Sequence, residues 1–404
     1  MSQSIVKIKD VCEFVRGLTY SKSDEVEYSK NAVLRATNID LNSNRLNLNE
    51  IRYIADSVNV KSDKKVRIND ILICTASGSK SHLGKVALIE EKIDMAFGGF
   101  MGVMRAKPNI NPKYLFAFFK SQIFIEHVFN TGDGANINNL KFSQFEDLEI
   151  VLPSLSIQQK IVAKLDAIFA EIDKASVTVE VNAKNAEALF QSCLSKVFNE
   201  NYETSKKLKN CCFIKPPKSE LRNIENSLDV SFMPMEALGI NLKNAIPNQT
   251  RKLSEVSGSY TYFAEGDILL AKITPCFENG KLGIAKDLRN KIGFGSSEYI
   301  VFRPTDEVDS SWLYYFLNRN EFRMNGAKHM SGAVGHKRVT KEFIEESELP
   351  LPTLTMQKEL VSYIESIFNV SKSLEISSLK KSNELKKLKQ SILKQAFNGE
   401  LVKE

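Results

Sequence analysis

The chain has 404 residues, of which 43% are hydrophobic and 26% charged, and its formal net charge is +6. It is longer than one typical domain, and its composition is that of a globular protein rather than a disordered or fibrous one. The longest apolar stretch without a charge, residues 95–104, is too short to span a bilayer, so we expect no membrane association. The positive charge permits a nucleic-acid partner without requiring one.

Cysteine usage predicts a reducing environment. The six cysteines, at positions 12, 74, 193, 211, 212 and 276, form no CxxC pair and have no spacing suited to zinc. We therefore predict packing roles for these thiols and no metal in this chain. The N-terminal segment MSQSIVKIKD lacks the apolar core of a signal peptide, so we expect a cytoplasmic protein.

A first globular region is predicted over residues 1–154. Short apolar runs such as Ile71–Ile73 occur together with amphipathic stretches such as residues 112–129. This mixture predicts an α+β fold, because the regular βαβ alternation of a doubly wound sheet is missing. Polar, glycine-punctuated loops at residues 75–82 and 131–136 suit contacts to phosphates and base edges, although such loops are often ordinary surface.

A long central helix is predicted over residues 155–200. Apolar residues follow a 4–3 spacing from Ile161 to Cys193, and a stripe of this length is typical of a coiled coil. Asn182 interrupts the stripe at a predicted core position. A separate strand over Val177–Val181 is the alternative, since β-branched residues are poor helix formers.

A second globular region, residues 201–353, and a C-terminal long helix, residues 354–404, follow the same plan. The region has apolar runs such as Ile268–Leu270 and polar loops at residues 274–281 and 330–335. The helix repeats the apolar stripe, with interruptions at Ser371, Ser378 and Lys381. Lys381 matches Asn182, and we predict that the two polar residues fix the register of the helix pairing.

Both helices have a candidate N-cap. Ser156 is predicted to cap the central helix, with Gln159 three residues on completing a capping box. Thr355 is predicted to cap the C-terminal helix, where Lys358 replaces the glutamine and leaves half a box.

The two halves of the chain are an internal repeat. Residues 152–169 match residues 351–368 at an offset of 199, and residues 113–121 match residues 312–320 in their aromatic pattern. One domain-plus-helix unit is therefore duplicated, as a pseudo-two-fold internal repeat. Neither helix can bury its stripe alone, so we predict two similar α+β domains separated by two long helices paired as an antiparallel coiled coil.

Motifs of catalysis are missing. Asp70, Glu90 and Lys92 have roughly the spacing of a metal-dependent nuclease centre, but the second copy has Arg289 in place of the lysine. Residues 215–218 lack the polar head and aromatic tail of an amino-methyltransferase motif, and the four histidines form no triad. We predict a non-catalytic chain; the alternatives are a single-chain methyltransferase or nuclease with a degenerate centre, and a coiled-coil scaffold.

Three segments of the second globular region point to a family. Residues 229–236 (DVSFMPME), 263–281 (FAEGDILLAKITPCFENGK) and 293–298 (GFGSSE) closely resemble the target-recognition domains of type I restriction–modification specificity subunits. The Leu-Pro-x-Leu-x-x-Gln segments that open both helices, and residues 393–401, are similar to the helical regions of that family. The resemblance covers the full length and is looser in the first region.

The resemblance implies a sequence-specific DNA-recognition subunit that is not itself an enzyme. It implies that residues 1–154 and 201–353 are target-recognition domains, each reading one half of a bipartite, asymmetric target in double-stranded DNA. It also implies a complex with two modification (methyltransferase) subunits, which restriction subunits can join. The cofactor S-adenosylmethionine is expected on the partner that methylates adenine, and no cofactor is expected in this chain. The paired helices would act as a ruler between the half-sites.

Polar residues in or next to the glycine-punctuated loops are the candidate DNA contacts. In the first region they are Lys80, Ser81, His82, Asn136, Asn138 and Asn139. In the second region they are Lys272, Thr274, Asn279, Lys281, His336, Lys337 and Arg338.

Overall fold

A computed structural model describes residues 4–41, 43–77, 82–130, 139–333 and 335–402. The chain divides into two compact units, one of Met1–Val179 with Lys380–Glu404 and one of Glu180–Leu379. Each unit thus combines one globular region with part of both long helices. Within the described ranges, no helix has the length and apolar character needed to cross a membrane.

The first globular region contains two four-stranded sheets and a strand pair. Its strands are β1 (Ser4–Lys7), β2 (Cys12–Arg16), β3 (Glu25–Val26), β4 (Asn31–Leu34), β5 (Arg52–Ile54), β6 (Asp70–Cys74), β7 (Val86–Leu88), β8 (Ala96–Phe97), β9 (Met101–Ala106) and β10 (Glu149–Leu152). Its helices are α1 (Ile8–Val11), α2 (Pro112–Phe119) and α3 (Gln122–Asn130). The sheet orders are β2-β9-β6-β7 and β3-β5-β4-β8, and β1 pairs antiparallel with β10. All five residues of β6 are buried, which explains its nearly continuous apolar run.

The second globular region repeats this plan with additional short elements. Its strands are β11 (Ser205–Lys207), β12 (Cys212–Ile214), β13 (Asp229–Met233), β14 (Asn244–Ala245), β15 (Gln249–Lys252), β16 (Thr261–Ala264), β17 (Ile268–Ala271), β18 (Leu282–Ala285), β19 (Ile292–Gly295), β20 (Tyr299–Pro304), β21 (Met330–Ser331), β22 (Arg338–Val339) and β23 (Glu348–Pro350). The long central helix that precedes it is α4 (Leu155–Phe198), and its own helices are α5 (Leu208–Cys211), α6 (Leu253–Val256), α7 (Ser310–Leu317), α8 (Asn320–Lys328) and α9 (Lys341–Glu346). The sheet orders are β12-β20-β17-β18-β14 and β15-β13-β19-β16. The predicted α+β fold class is confirmed in both regions.

Helices α2 and α7 are equivalent in the two copies. The Tyr114 hydroxyl donates to the Val151 carbonyl at 2.8 Å, and the Trp312 indole N–H donates to the Pro350 carbonyl at 2.8 Å. These contacts place the helices at an offset of 198, so the alignment of residues 113–121 with 312–320 is wrong by one position. The error arises because both segments are apolar or aromatic along most of their length and fit either register.

The two long helices are α4 and α10 (Leu354–Phe397), each of 44 residues. In the first unit Lys389 of α10 forms an ion pair with Asp173 of α4, and the Lys164 ammonium donates to the Leu401 carbonyl at 2.8 Å. In the second unit the Ser371 hydroxyl donates to the Ala186 carbonyl at 2.6 Å. The positions in α4 rise as those in α10 fall, so the predicted antiparallel pairing is confirmed.

The helix prediction is confirmed over residues 177–181, but its polar core positions Asn182 and Lys381 are wrong. Helix α4 runs unbroken through residues 177–181, so no strand interrupts it. Asn182 and Lys381 are exposed, and the buried polar positions of the stripe are instead Ser371 and Ser378. The predicted positions drift off the buried face because a strict 3.5-residue repeat rotates by about 20° per heptad relative to a straight α-helix.

The predicted N-caps are also displaced. The Ile157 N–H donates to the Ser154 hydroxyl at 3.4 Å, so Ser154 rather than Ser156 lies at the helix start. The Met356 N–H donates to the Thr353 hydroxyl at 3.4 Å in the second copy. Each helix therefore begins two residues earlier than the capping-box pattern predicts.

A buried glutamine joins each long helix to the globular region before it. The Gln158 side chain accepts from the Asn111 N–H at 2.7 Å and donates to the Pro153 carbonyl at 2.8 Å. The Gln357 side chain accepts from the Asp309 N–H at 2.8 Å and donates to the Pro352 carbonyl at 2.8 Å. Both side chains are fully buried, so their amide groups depend on these partners.

A buried carboxylate–arginine pair is also present in both copies. Asp70 at the start of β6 contacts the Arg105 guanidinium at 3.0 Å, and Asp267 beside β17 contacts Arg303 at 2.8 Å. The aspartate side chains are 4% and 2% exposed. The carboxylates also accept backbone N–H groups, from Arg67 at 2.8 Å in the first copy and from Ala264 at 2.8 Å in the second.

The glutamine contacts predict a stability effect. Gln158→Ala removes the partners of buried backbone groups, so we expect the free energy of unfolding to fall by about 2 kcal/mol in urea denaturation. Gln159→Ala is the matched control because Gln159 is exposed, and we expect a change below about 0.5 kcal/mol. Equal losses from the two variants would contradict the anchoring role.

The ion pair predicts a second effect. Arg303→Met leaves the Asp267 carboxylate buried and unpaired, so we expect the free energy of unfolding to fall by about 3 kcal/mol. Lys252→Met in the same region breaks the exposed pair with Asp229, and we expect a loss below about 1 kcal/mol. Urea unfolding followed by tryptophan fluorescence measures both, because Trp312 lies in the core of this unit. An unchanged unfolding midpoint in Arg303→Met would refute the assignment.

Candidate nucleic-acid interface

Three backbone segments of the second globular region meet at the end of β17. The Lys272 N–H donates to the Glu298 carbonyl at 2.9 Å, and the Val339 N–H donates to the Lys272 carbonyl at 3.0 Å. The Thr274 N–H donates to the Lys337 carbonyl at 2.9 Å. We call this crossing of residues 272–274, 298 and 337–339 the second loop junction. It fixes the backbone from which the side chains of three loops project.

The first globular region has the same arrangement. The Thr75 N–H donates to the Phe100 carbonyl at 2.9 Å, and the Leu140 N–H donates to the Thr75 carbonyl at 2.6 Å. Ala76 forms an antiparallel bridge with Asn139, as Ile273 does with Arg338 in the second region. This first loop junction therefore places Thr75, Phe100 and Asn139 where the second places Lys272, Glu298 and Arg338.

The second loop junction brings together five predicted DNA contacts. His336, Lys337 and Arg338 are exposed, and Lys272 and Thr274 are half-buried beside them. The Thr274 hydroxyl contacts the Glu278 carboxylate at 2.9 Å. The cluster therefore carries two lysines, an arginine and a histidine on or beside one hydrogen-bonded backbone crossing.

Two other predicted contacts of this region lie in the same loop but differ in exposure. Asn279 is exposed, and its N–H donates to the Pro275 carbonyl at 3.0 Å. The half-buried Lys281 ammonium donates to the Met235 carbonyl at 2.7 Å, and the buried Lys85 ammonium of the first region donates to the Ile39 carbonyl at 2.8 Å. These paired contacts favour a structural role for Lys281.

In the first region fewer of the predicted contacts can be placed. Lys80, Ser81, Asn136 and Asn138 lie outside the described residues. His82 is half-buried, and Asn139 is exposed at the first loop junction.

Glu298 is a member of the site that residue patterns did not single out. Its carboxylate accepts two hydrogen bonds from the Arg338 guanidinium, at 2.7 and 2.9 Å. The Lys272 ammonium lies 3.9 Å from the same carboxylate. These hydrogen bonds, helped by the charge of Lys272, hold the pKa of Glu298 below its ordinary value, so the group is ionised at neutral pH.

The residues considered for a nuclease centre are placed differently. Asp70 is buried against Arg105, whereas Glu90 and Lys92 are exposed. Among the residues that the structure describes, no group of three or more His, Cys, Asp or Glu side chains could hold a metal ion. The Asp70 carboxylate is thus part of the domain core.

Comparison with known proteins agrees with this architecture. The family model described as "Type I restriction modification DNA specificity domain" matches residues 3–183 and 199–387. The specificity subunit of the type I restriction enzyme EcoKI from Escherichia coli (strain K12) is 26% identical over 98% of this chain and 89% of its own length. The EcoEI specificity subunit from Escherichia coli is 35% identical over 40% of this chain and 27% of its own length.

A solved structure shares the fold over 98% of both chains, with a TM-score of 0.76 and 20% sequence identity. It is described as the structural basis of complex assembly and conformational transition of the type I restriction–modification system. The family model covers most of the chain and both of its repeats. The chain therefore belongs to the family of type I restriction–modification DNA specificity domains.

Proposed function

We propose that this chain is the sequence-specific DNA-recognition subunit of a type I restriction–modification complex. The observation that carries the proposal is the pair of loop junctions, in which the same backbone crossing presents different exposed side chains in the two copies. Two globular regions with the same backbone crossing but different side chains suit a target made of two different half-sites. Each globular region reads one half of a bipartite, asymmetric site in double-stranded DNA.

The chain selects the site, and a partner carries out the reaction. Two modification subunits bind this chain, hold S-adenosylmethionine and methylate adenine; restriction subunits can join them. We place the complex in the cytoplasm, where the six free cysteines stay reduced. A net charge of only +6 suits a subunit whose partners supply part of the phosphate contact.

The direct test compares the chain alone with the complex. Purified chain is expected to transfer no methyl group, whereas chain with its cognate modification subunits is expected to methylate one split sequence. Methylome sequencing of cells that carry both components reads out the target. Methylation or cleavage by the chain alone would favour the alternative of a single-chain enzyme with a degenerate centre.

Exchange of one globular region tests whether each region reads its own half-site. Replacing residues 1–154 with the corresponding region of another specificity subunit is expected to change one half-site and to leave the other unchanged. The physical reason is that each loop junction is closed by contacts within its own region. Methylome sequencing of the chimaera is the measurement, and a change in both half-sites would contradict independent reading.

Lengthening both helices tests their proposed role as a ruler. Four residues inserted after Val181 and four after Lys380, at the repeat offset of 199, lengthen each helix by about 6 Å. They also rotate it by about 400°, so the apolar stripes stay nearly in phase. We expect the gap between the half-sites to widen by about one or two base pairs.

The control for this insertion replaces four residues at the same two places without changing the length. Methylome sequencing measures the gap in both variants. An unchanged gap after insertion, in a variant that still methylates DNA, would exclude the ruler.

A further inference from the structure

Among the described residues, the Arg338 guanidinium has hydrogen-bond partners for only part of its N–H groups. Its Nε and Nη2 atoms donate to the two Glu298 oxygens at 2.9 and 2.7 Å, and Nη1 donates to the His336 carbonyl at 3.1 Å. A guanidinium has five N–H donors, so these contacts use three of them. One N–H on each terminal nitrogen remains, and the side chain is 45% exposed. Two N–H donors of this partly exposed planar group therefore have no partner within the described part of the chain.

The acid that holds Arg338 is itself anchored. The Glu298 carbonyl accepts from the Lys272 N–H, its own N–H donates to the Ser296 hydroxyl at 3.2 Å, and the Lys272 ammonium donates to the Ser297 carbonyl at 2.9 Å. The Glu298 backbone is therefore hydrogen-bonded to Lys272 and Ser296, and its carboxylate contacts both Arg338 and Lys272. The three charged side chains together carry one surplus positive charge, which suits a surface that approaches DNA.

The two copies share their buried ion pairs but differ in the residues of this cluster. The buried pairs Asp70–Arg105 and Asp267–Arg303 have the same chemistry in both copies. At the loop junctions the chemistry differs completely, because Lys272, Glu298 and Arg338 correspond to Thr75, Phe100 and Asn139. Phe100 is 73% exposed, so its position in the first copy also faces outward.

A structural role does not account for the Glu298–Arg338 pair. Partly exposed ion pairs of this kind typically contribute little to folding stability, and the first copy folds the same backbone crossing without one. A bidentate acid contact does, however, orient an arginine before its target arrives and so lowers the entropy lost on binding.

We propose that Arg338 reads a guanine in the half-site of the second globular region, and that Glu298 positions it. A guanidinium recognises guanine in the major groove by donating two N–H groups to O6 and N7, which is what the free donors of Arg338 can supply. The inference rests on the proposed function, since it requires that this region binds DNA.

The test uses the complete complex with its cognate modification subunits, and methylome sequencing of wild type and variants. The wild-type half-site that domain exchange assigns to the second region is expected to contain a guanine. Arg338→Ala is expected to lower discrimination at that one base by roughly 5- to 150-fold while the other positions stay fixed. Arg338→Lys keeps the charge but not the planar fork, so we expect the same relaxation at the same base.

The Glu298→Gln variant tests whether Glu298 positions Arg338 or only stabilises the fold. We expect a smaller loss of discrimination at the same base as Arg338→Ala, with an unchanged thermal unfolding midpoint. Arg289→Ala is the matched control, because Arg289 is an exposed arginine paired with an acid in the same region but outside the loop junction. It is expected to leave the target sequence unchanged.

The outcomes distinguish the two proposals. No site-specific methylation by the wild-type complex overturns the proposed function itself. Site-specific methylation with no guanine in that half-site, or with an unchanged target in Arg338→Ala, overturns only the assignment of Arg338. A uniform weakening over all sequences that Arg338→Lys restores also overturns it, because a phosphate contact behaves in that way.

Discussion

The structure depends on the burial of two long apolar stripes that neither helix can bury alone. In the first unit Leu393 and Phe397 of α10 enter the same core as Ile161 and Leu165 of α4, and the Phe397 ring lies 5.2 Å from that of Phe118. In the second unit Phe198 of α4 packs 4.1 Å from Trp312. The core of each globular region is therefore completed by the end of one helix and the start of the other.

This shared burial explains why the two copies differ in some places and agree in others. A residue inserted into one helix alone would shift its stripe against the partner helix and against the globular core that its end completes, so both helices keep 44 residues. Gln158 and Gln357 add a second constraint, because each fixes the start of a helix to the loop before α2 or α7. The exposed side chains at the loop junctions carry neither constraint, and they differ between the copies.

The sequence predicts elements that follow a long repeating pattern of apolar residues. It does not predict contacts between residues that lie far apart in the chain. The lengths of α4 and α10 and their antiparallel pairing followed from stripes of about six heptads. The caps were misplaced because Ser154 and Ser156 both precede the apolar run, and only the backbone shows which hydroxyl accepts. Asn182 was misplaced because it lies three heptads after Ile161, where the drift of a heptad repeat reaches about 60°.

The candidate site can also be predicted only in part from the sequence. The glycine-punctuated loops and the residues next to them include Lys272, Thr274 and Arg338, which the second loop junction brings together. Glu298 was not found, because its partner Arg338 is 40 positions away and no local pattern joins the two. The sequence does not distinguish the role of Asp70, because an acid beside a buried strand has the same local pattern whether it binds a metal or an arginine.

The energetic difference between the two kinds of ion pair explains how the same backbone crossing can carry different side chains in the two copies. Loss of the Arg303 partner leaves a carboxylate with 2% exposure uncompensated, so substitution at this pair threatens the fold. The Glu298–Arg338 pair is at the surface, where an ion pair contributes at most about 1 kcal/mol, so its replacement by Phe100 and Asn139 in the first copy costs little stability. Exposed side chains at the loop junctions can therefore change while the hydrogen-bonded crossing beneath them stays the same. A protein built in this way can acquire a new target in one half without losing the fold that holds the other.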